Sequence, residues 1–276
     1  MANNTLKSSS SVKTKKSAQF LYTIDEWKPT DSHALYHLEK KCWAPWLRKS
    51  EEDFNIIATN FSSLQRLIRN RNGKIVASMS VNRINWDGNI KKLPTWDEIA
   101  GGGIQSSNFV GTYVPTGNTL CLMSMNVSPS LQGIGLAQRL FEELKHMANT
   151  LNVEHIISSL RPLGYGKYKL QQLEIDKTPL DFIDYCALKV ANDEPYDPWL
   201  RSAFRQGMRQ LKASKDAIVV SVDKATFNKF VHSYKPILWK QVTDDKWECG
   251  ETGSWFLTKK GATYKEYNLS VEIPFK

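Results

Sequence analysis

The stretch from Thr119 to Leu160 limits the fold more than any other part of the chain. Residues 119–127 are apolar on both alternations, with Leu120 and Leu122 on one side and Cys121, Met123 and Met125 on the other, until Ser124 and Asn126 interrupt them. A strand buried on both faces reads this way, and its polar end marks where it opens onto a site. Pro129 ends the strand, a loop reads Gln132-Gly133-Ile134-Gly135-Leu136-Ala137, and Leu136, Leu140, Leu144, Met147, Ala148 and Leu151 then recur at helical spacing. Residues 153–160 are strand-like again, so the segment predicts a βαβ unit. Where a helix follows a glycine loop, its first N–H groups lack internal partners and its dipole adds positive potential, which together make an anion cradle. Gly133 and Gly135 leave the backbone open to a diphosphate. Neither GxGxxG nor GxxxxGK[ST] occurs, which sets aside a dinucleotide fold and a P-loop NTPase. Taken bare, the loop also fits an ordinary strand-to-helix turn.

Upstream, residues 20–24 read as a strand and Ser32 as the cap of a helix carrying Leu35, Leu38 and the Cys42-Trp43 pair. Ser50 starts a second helix, with Glu51, Glu52 and Asp53 at its positive end and Phe54, Ile57 and Ala58 at core spacing. Residues 64–68 and 75–81 form a hairpin around Asn72-Gly73, the pair favoured in a type I′ turn. Residues 82–118 are a long excursion rich in Gly and Trp, holding Leu93-Pro94-Thr95-Trp96-Asp97-Glu98 and Gly101-Gly102-Gly103. A connection of that length is expected to line a site, here the substrate entrance. Downstream, a helix is expected over 204–213 and strands over 217–222 and 264–275. Trp239, Trp247 and Trp255 fit either an acceptor pocket or the core.

The chain has 276 residues, 41% hydrophobic and 24% charged, enough to bury a core and too apolar for wholesale disorder. Its net charge of +9 invites a nucleic-acid reading, but Lys7, Lys13, Lys15 and Lys16 lie in an acid-free stretch, 1–19, expected to be a disordered basic tail. That stretch lacks the apolar segment of a secretory signal and the Arg of a transit peptide. The longest apolar runs, such as Ala217-Ile218-Val219-Val220, are far too short to span a bilayer, so no membrane partner is expected. Cys42, Cys121, Cys186 and Cys249 are dispersed, as in free thiols of a reducing cytoplasm. His33 and His37 share a helix face without a third ligand, so no metal is expected.

Val127-Ser128-Pro129 through Gln132-Gly133-Ile134-Gly135-Leu136-Ala137 resembles the acyl-CoA signature of the GNAT superfamily of N-acetyltransferases, [Q/R]xxGx[G/A] after a buried strand, with Gln132, Gly135 and Ala137 at the marked positions. The order of elements agrees over residues 20–160 and more loosely beyond. The resemblance implies an α/β (α+β) fold: a mixed, mostly antiparallel central sheet flanked by helices, in one domain over 20–276 with core 20–160 and an acceptor-side elaboration over 161–276. It implies acetyl-CoA as cosubstrate, backbone groups of Met125 and Val127 pairing with the pantetheine arm, and N–H groups of Gln132, Gly133, Ile134, Gly135, Leu136 and Ala137 holding the pyrophosphate. A Tyr after the next strand would protonate the departing thiolate, with Tyr168 preferred over Tyr165. Many members carry a general base on the central strand, but residues 119–126 contain no carboxylate, which turns attention to water or to Asp97 and Glu98. The implied partner is a small-molecule or peptidic amine, with nucleic acid unfavoured and a homodimer allowed. A malonyl-CoA decarboxylase, a carrier-thiol acyltransferase and a non-catalytic CoA-binding module are the rival readings. Tyr196-Asp197-Pro198-Trp199-Leu200-Arg201 and Thr95-Trp96-Asp97-Glu98 resemble a subgroup of larger GNAT-like proteins.

Overall fold

The computed structural model describes residues 21–276, so the expected tail over 1–19 and the first residue of the first strand lie outside the described residues. Ten strands form one sheet among them. β1 (Tyr22–Glu26), β2 (Arg66–Asn70), β3 (Ile75–Ile84) and β4 (Thr119–Val127) run antiparallel in succession. β4 pairs in parallel with β5 (His155–Leu160), the crossover expected of the βαβ unit. β5 joins β10 (Gly261–Glu272), whose opposite edge is covered along its length by β6 (Arg209–Asp223). The sheet continues from β10 through β9 (Ser254–Leu257), β8 (Lys246–Glu248) and β7 (Lys240–Gln241). The result is a mixed, mostly antiparallel sheet with helices on both faces.

Each face of β4 feeds a different core. Cys121 and Met123 join Leu35, Trp46, Phe54, Trp96 and Trp255 beneath α1 (Ser32–Cys42), α2 (Glu51–Asn60) and α3 (Trp96–Ala100). Leu120 and Leu122 pack with Leu136, Leu140, Leu144 and Met147 of α4 (Leu136–Thr150) and with Tyr165 of α5 (Leu163–Glu174). This explains why β4 is apolar on both alternations. Ser50 and Asp53 form the capping box that starts α2, each side chain accepting the other's backbone N–H. At α1 the cap position is Asp31, and Ser32 instead donates its hydroxyl to Pro29 O.

Two expectations need correction, and one alternative is decided. The hairpin between β2 and β3 is present, but only Gly73 has positive φ (+74°), and Gly73 N–H donates to Asn70 O. That is a three-residue loop, a turn over 70–73 ending on a left-handed glycine, and not the two-residue type I′ turn, and the Asn70 carboxamide fixes it by accepting from Asn72 and Lys74 N–H. The helix expected over 204–213 is instead α7 (Pro198–Arg205), following α6 (Phe182–Ala187). Asp197 caps α7, accepting from Trp199 and Leu200 N–H, and Gly207 at φ +76° ends it before β6 begins. Phe204, Met208 and Leu211 imitate helical spacing across that glycine. Trp239 and Trp255 are core residues, packed edge-on or tilted against Trp46 and Phe227, the latter on α8 (Lys224–Ser233); Trp247 packs half-buried on Phe227.

Candidate functional site

β4 and β5 stay together only from Thr119 opposite His155 to Leu122 opposite Ser158. At that level β4 carries an extra residue, Met123, since Ser80 faces Ser124 while Val81 faces Leu122. Such a bulge bends the strand and sharpens its twist. β5 is meanwhile held straight, with Ser158, Ser159 and Leu160 paired to β10. The strands therefore part, and the end of β4 has a free edge.

Hydrogen-bond parity shows what that edge offers. Ser128 N–H donates to Val76 O at 2.9 Å, and bonded and non-bonded pairs alternate along an antiparallel ladder. Asn126/Ser78 is then a bonded pair, while Val127/Ala77 and Met125/Met79 are not. The N–H and C=O groups of Met125 and Val127 thus face away from β3, toward the gap. Within the protein, Trp96 Nε1–H donates to Met123 O at 2.9 Å and the Cys42 thiol lies 3.6 Å from Val127 O.

The strand leads into a 3₁₀ turn, Pro129–Leu131, and then the glycine loop. Gly133 and Gly135 have φ of +82° and +90°, and a Cβ on either would meet nothing within 4 Å. The glycines are required by backbone conformation, which L-residues rarely adopt, and not by crowding. Arg139 N–H donates to Gly135 O, the first bond of α4. From Gln132 to Gln138, no N–H group finds an acceptor among the described residues. Residues 132–135 are exposed while Leu136 and Leu140 are buried, so α4 is anchored by its apolar face and its positive end is bare.

Between the parted strands lies a small recess that opens to solvent. Met123 and Ser124 of β4, Ser159 of β5 and Arg161 just beyond it form its walls. Trp96 and Ile104 of the long excursion cover it, as the length of that excursion suggested. Glu39 on α1 is the one carboxylate in the lining and is 1% exposed. Its Oε1 accepts from Lys49 backbone N–H at 2.7 Å and its Oε2 from Asn126 Nδ2 at 3.3 Å, while Asn126 Oδ1 accepts from Trp43 Nε1–H at 2.5 Å. Arg161 lies against the Trp43 ring at 4.9 Å and pairs with Glu266 at 2.6 Å and Glu251 at 2.9 Å. Burial works against the guanidinium charge, but Glu266 and Glu251 outweigh it and the pKa is raised. Arg161 in turn keeps Glu251 ionised below its ordinary range despite burial. Lys49 also lines the recess, its side chain buried between Trp96 and Phe54.

The residues expected to do chemistry lie elsewhere. Glu98 serves the capping box of α3, accepting from Thr95 N–H at 2.7 Å. Asp97 turns toward β6, where its Oδ2 accepts from Val219 N–H at 2.8 Å; its Oδ1 is buried without a partner, and burial pushes its pKa up to about 6. Tyr168 stacks on Tyr165 and takes Leu180 N–H on its hydroxyl at 3.5 Å. None of the three lines the recess. The Cys42 thiol is pushed up to about 11 by burial and by Glu39, so it stays protonated. Glu39 was the residue sequence reasoning missed, although it sits four positions after Leu35 on the apolar face of α1, where a carboxylate is out of pattern.

Residues 32–163 match the model of the acetyltransferase (GNAT) family. Among solved structures, the chain resembles the loading GNATL domain of CurA from Lyngbya majuscula, at 20% identity and TM-score 0.56 over 70% of this chain and 87% of that one. It also resembles the GphF GNAT-like decarboxylase, solved in complex with isobutyryl-CoA, at 20% identity and TM-score 0.57 over 92% of this chain and all of that one. At this identity the likeness is one of fold. None of the curated proteins matches the chain.

Proposed function

The chain belongs to the GNAT superfamily, and from that premise we propose that it transfers an acetyl group from acetyl-CoA to an amine by direct attack. The observation that carries this reading is the continuity of unpartnered backbone groups, running from the free edge of Met125 and Val127 into the bare N–H groups of 132–138 and ending beside a recess with one carboxylate. Bound acetyl-CoA supplies an activated thioester, whose C–S bond breaks as the C–N bond forms. The edge of β4 is suited to the pantetheine amides, as an added strand would be. Gln132, Gly133, Ile134, Gly135, Leu136 and Ala137 are suited to the diphosphate, through backbone N–H alone.

In this reading a backbone N–H near Met125 meets the developing oxyanion, a preorganised donor that needs no reorientation during reaction. Glu39 accepts the proton that the amine sheds, directly or through one water, and Asn126 and the Lys49 peptide hold its carboxylate in place. Glu39 is preferred to Asp97 and Glu98 because it alone of the three faces the recess. The leaving thiolate takes its proton from solvent, since Tyr168 does not line the recess.

Incubating the protein with acetyl-CoA and an amine library, with mass spectrometry of both products, tests the proposal. Acetylated amine matched by free CoA is expected, and Glu39→Gln should lower kcat/KM by about 100-fold, the low end of a general base's contribution, while acetyl-CoA still stabilises the fold. Acetyl thioester or decarboxylation without amide product would move the protein to another reaction, and an absence of any binding or turnover would sink the assignment.

A further inference from the structure

Two lysines are fully buried among the described residues, and they are held very differently. Lys169 has its Nζ enclosed by Glu248, Gly253 O at 2.7 Å, Thr252 O at 3.2 Å and Ser254 Oγ at 3.2 Å. Lys49, 2% exposed, has no carboxylate oxygen of the described residues within 4.0 Å of its Nζ and no hydrogen-bond acceptor there. Its ammonium meets only ring faces, Trp96 at 5.4 Å and Phe54 at 6.0 Å from the ring centroids.

An ammonium at the end of a buried stem, with no anion or protein acceptor beside it, is costly to hold, and aromatic faces offset a small part of that cost. A Met at position 49 would fill the same space with none of it. Glu39 accepts from the Lys49 peptide N–H and forms no ion pair with the Lys49 ammonium. Arg161, the other cation of the recess, is already matched by two glutamates. Among the described residues Lys49 is therefore the one cation of the lining without an ion-pair partner, and the recess is the route by which an anion reaches it. Of the anions a thioester or amine substrate can present at this point, a carboxylate is the natural fit, since the diphosphate is provided for by the loop outside.

We propose that Lys49 is a carboxylate-binding residue and that the substrate seated in the recess carries a carboxylate, on the acyl chain of the CoA thioester or on the amine acceptor. The proposal rests on the acyl-CoA reading above and adds the chemistry of the group delivered to the recess. Lys49 acts on selection: the preference for a charged over a neutral substrate depends on it.

Both sources can be probed with the full chain, Lys49→Met and Lys49→Arg. The first arm compares dissociation constants of malonyl-CoA and acetyl-CoA by thermal shift and calorimetry. The second compares kcat/KM for an amino acid and for its amide as acetyl acceptors. A charge-assisted hydrogen bond is worth about tenfold or more in either ratio, so wild type should favour the carboxylate form by that factor in one arm, Lys49→Met should lose the preference, and Lys49→Arg should recover much of it. The arm that responds identifies the source. Wild type without a preference in either arm overturns the proposal even if Lys49→Met fails to fold, and equal ratios in wild type and a folded Lys49→Met overturn it as well. CoA alone separates the two levels of argument: if CoA stabilises wild type while the ratios stay flat, only the role of Lys49 falls, whereas failure of CoA to stabilise wild type overturns the acyl-CoA reading and this proposal together.

Discussion

The glycine loop at 132–138 and the recess between β4 and β5 face opposite requirements. The loop offers backbone N–H groups at the surface, left bare because the start of a helix has no partners for them, so its chemistry depends on φ angles more than on side chains. The recess offers buried side chains gathered from α1, the 43–49 segment, α3, β4, β5 and β10, with Glu39 and Arg161 held by residues far away in sequence. A surface cradle can therefore be ruined with little effect on stability. A buried charge network cannot be changed without the fold registering it. The general lesson is that two parts of one site can have separable costs when one is built from peptide groups and the other from side chains.

The largest effect expected from this contrast is on folding. Arg161→Met removes the cation from Glu251 and Glu266, the latter wholly buried, and breaking such a pair from one side costs about 3–5 kcal/mol. Urea or guanidinium unfolding of the apo protein should show that loss. A loss under 1 kcal/mol would mean that the two glutamates are neutralised another way, and that the recess is not the rigid side-chain network described.

The loop calls for the opposite result. Ile134 is exposed, and among the described residues it is not one of the positive-φ positions, so Ile134→Asp puts a carboxylate in the N–H cradle without the backbone strain that a side chain at Gly135 would meet. Apo stability should change by no more than about 0.5 kcal/mol, as at an ordinary surface site. Saturating acetyl-CoA should stabilise wild type by about 2.7 kcal/mol at a hundred times Kd and leave the variant unmoved. If the folded variant keeps the full stabilisation, the diphosphate does not sit on this loop.

Legibility divided along the same line. β4, the loop and α4 form one contiguous segment whose polarity and glycines are readable in order, and the strand bounds 119–127 agree with β4. The recess has no such segment. Glu39 left a faint mark, a charge on an apolar helix face, but Lys49 precedes the Ser50 cap in an irregular stretch where no periodicity exists to violate. Arg161 is readable as a residue beyond a strand and becomes informative only when β10 brings Glu266 beside it. Asp97 and Glu98 drew attention because their excursion was expected to cover the site. The excursion does cover it through Trp96 and Ile104, while Glu98 is spent on the cap of α3 and Asp97 on Val219 N–H of β6. In the C-terminal half, Gly207 separated a helix from a strand whose apolar residues happened to continue a helical spacing.

The smallest effect expected is a pH dependence at α3, and it tests whether Asp97 belongs to the cover or to the chemistry. Its pKa in the folded protein is about 6 because burial penalises the carboxylate, and the neighbouring Glu98 adds to that against the Val219 N–H it accepts. A carboxyl group that holds its proton more tightly when folded favours the native state at low pH; that contribution is complete below the unfolded value near 4 and is lost as pH rises through about 6. Asp97→Asn keeps an acceptor for Val219 N–H and removes the titration. The difference in melting temperature, variant minus wild type, should thus grow by a few degrees at most between pH 4.5 and 6.5 and be flat above, since the carboxylate is only partly buried and solvent screens it. The same variant should leave the pH profile of kcat/KM unaltered, because Asp97 faces Val219 and not the recess. A kinetic pKa near 6 that disappears in Asp97→Asn would return the base to the excursion and take it from Glu39.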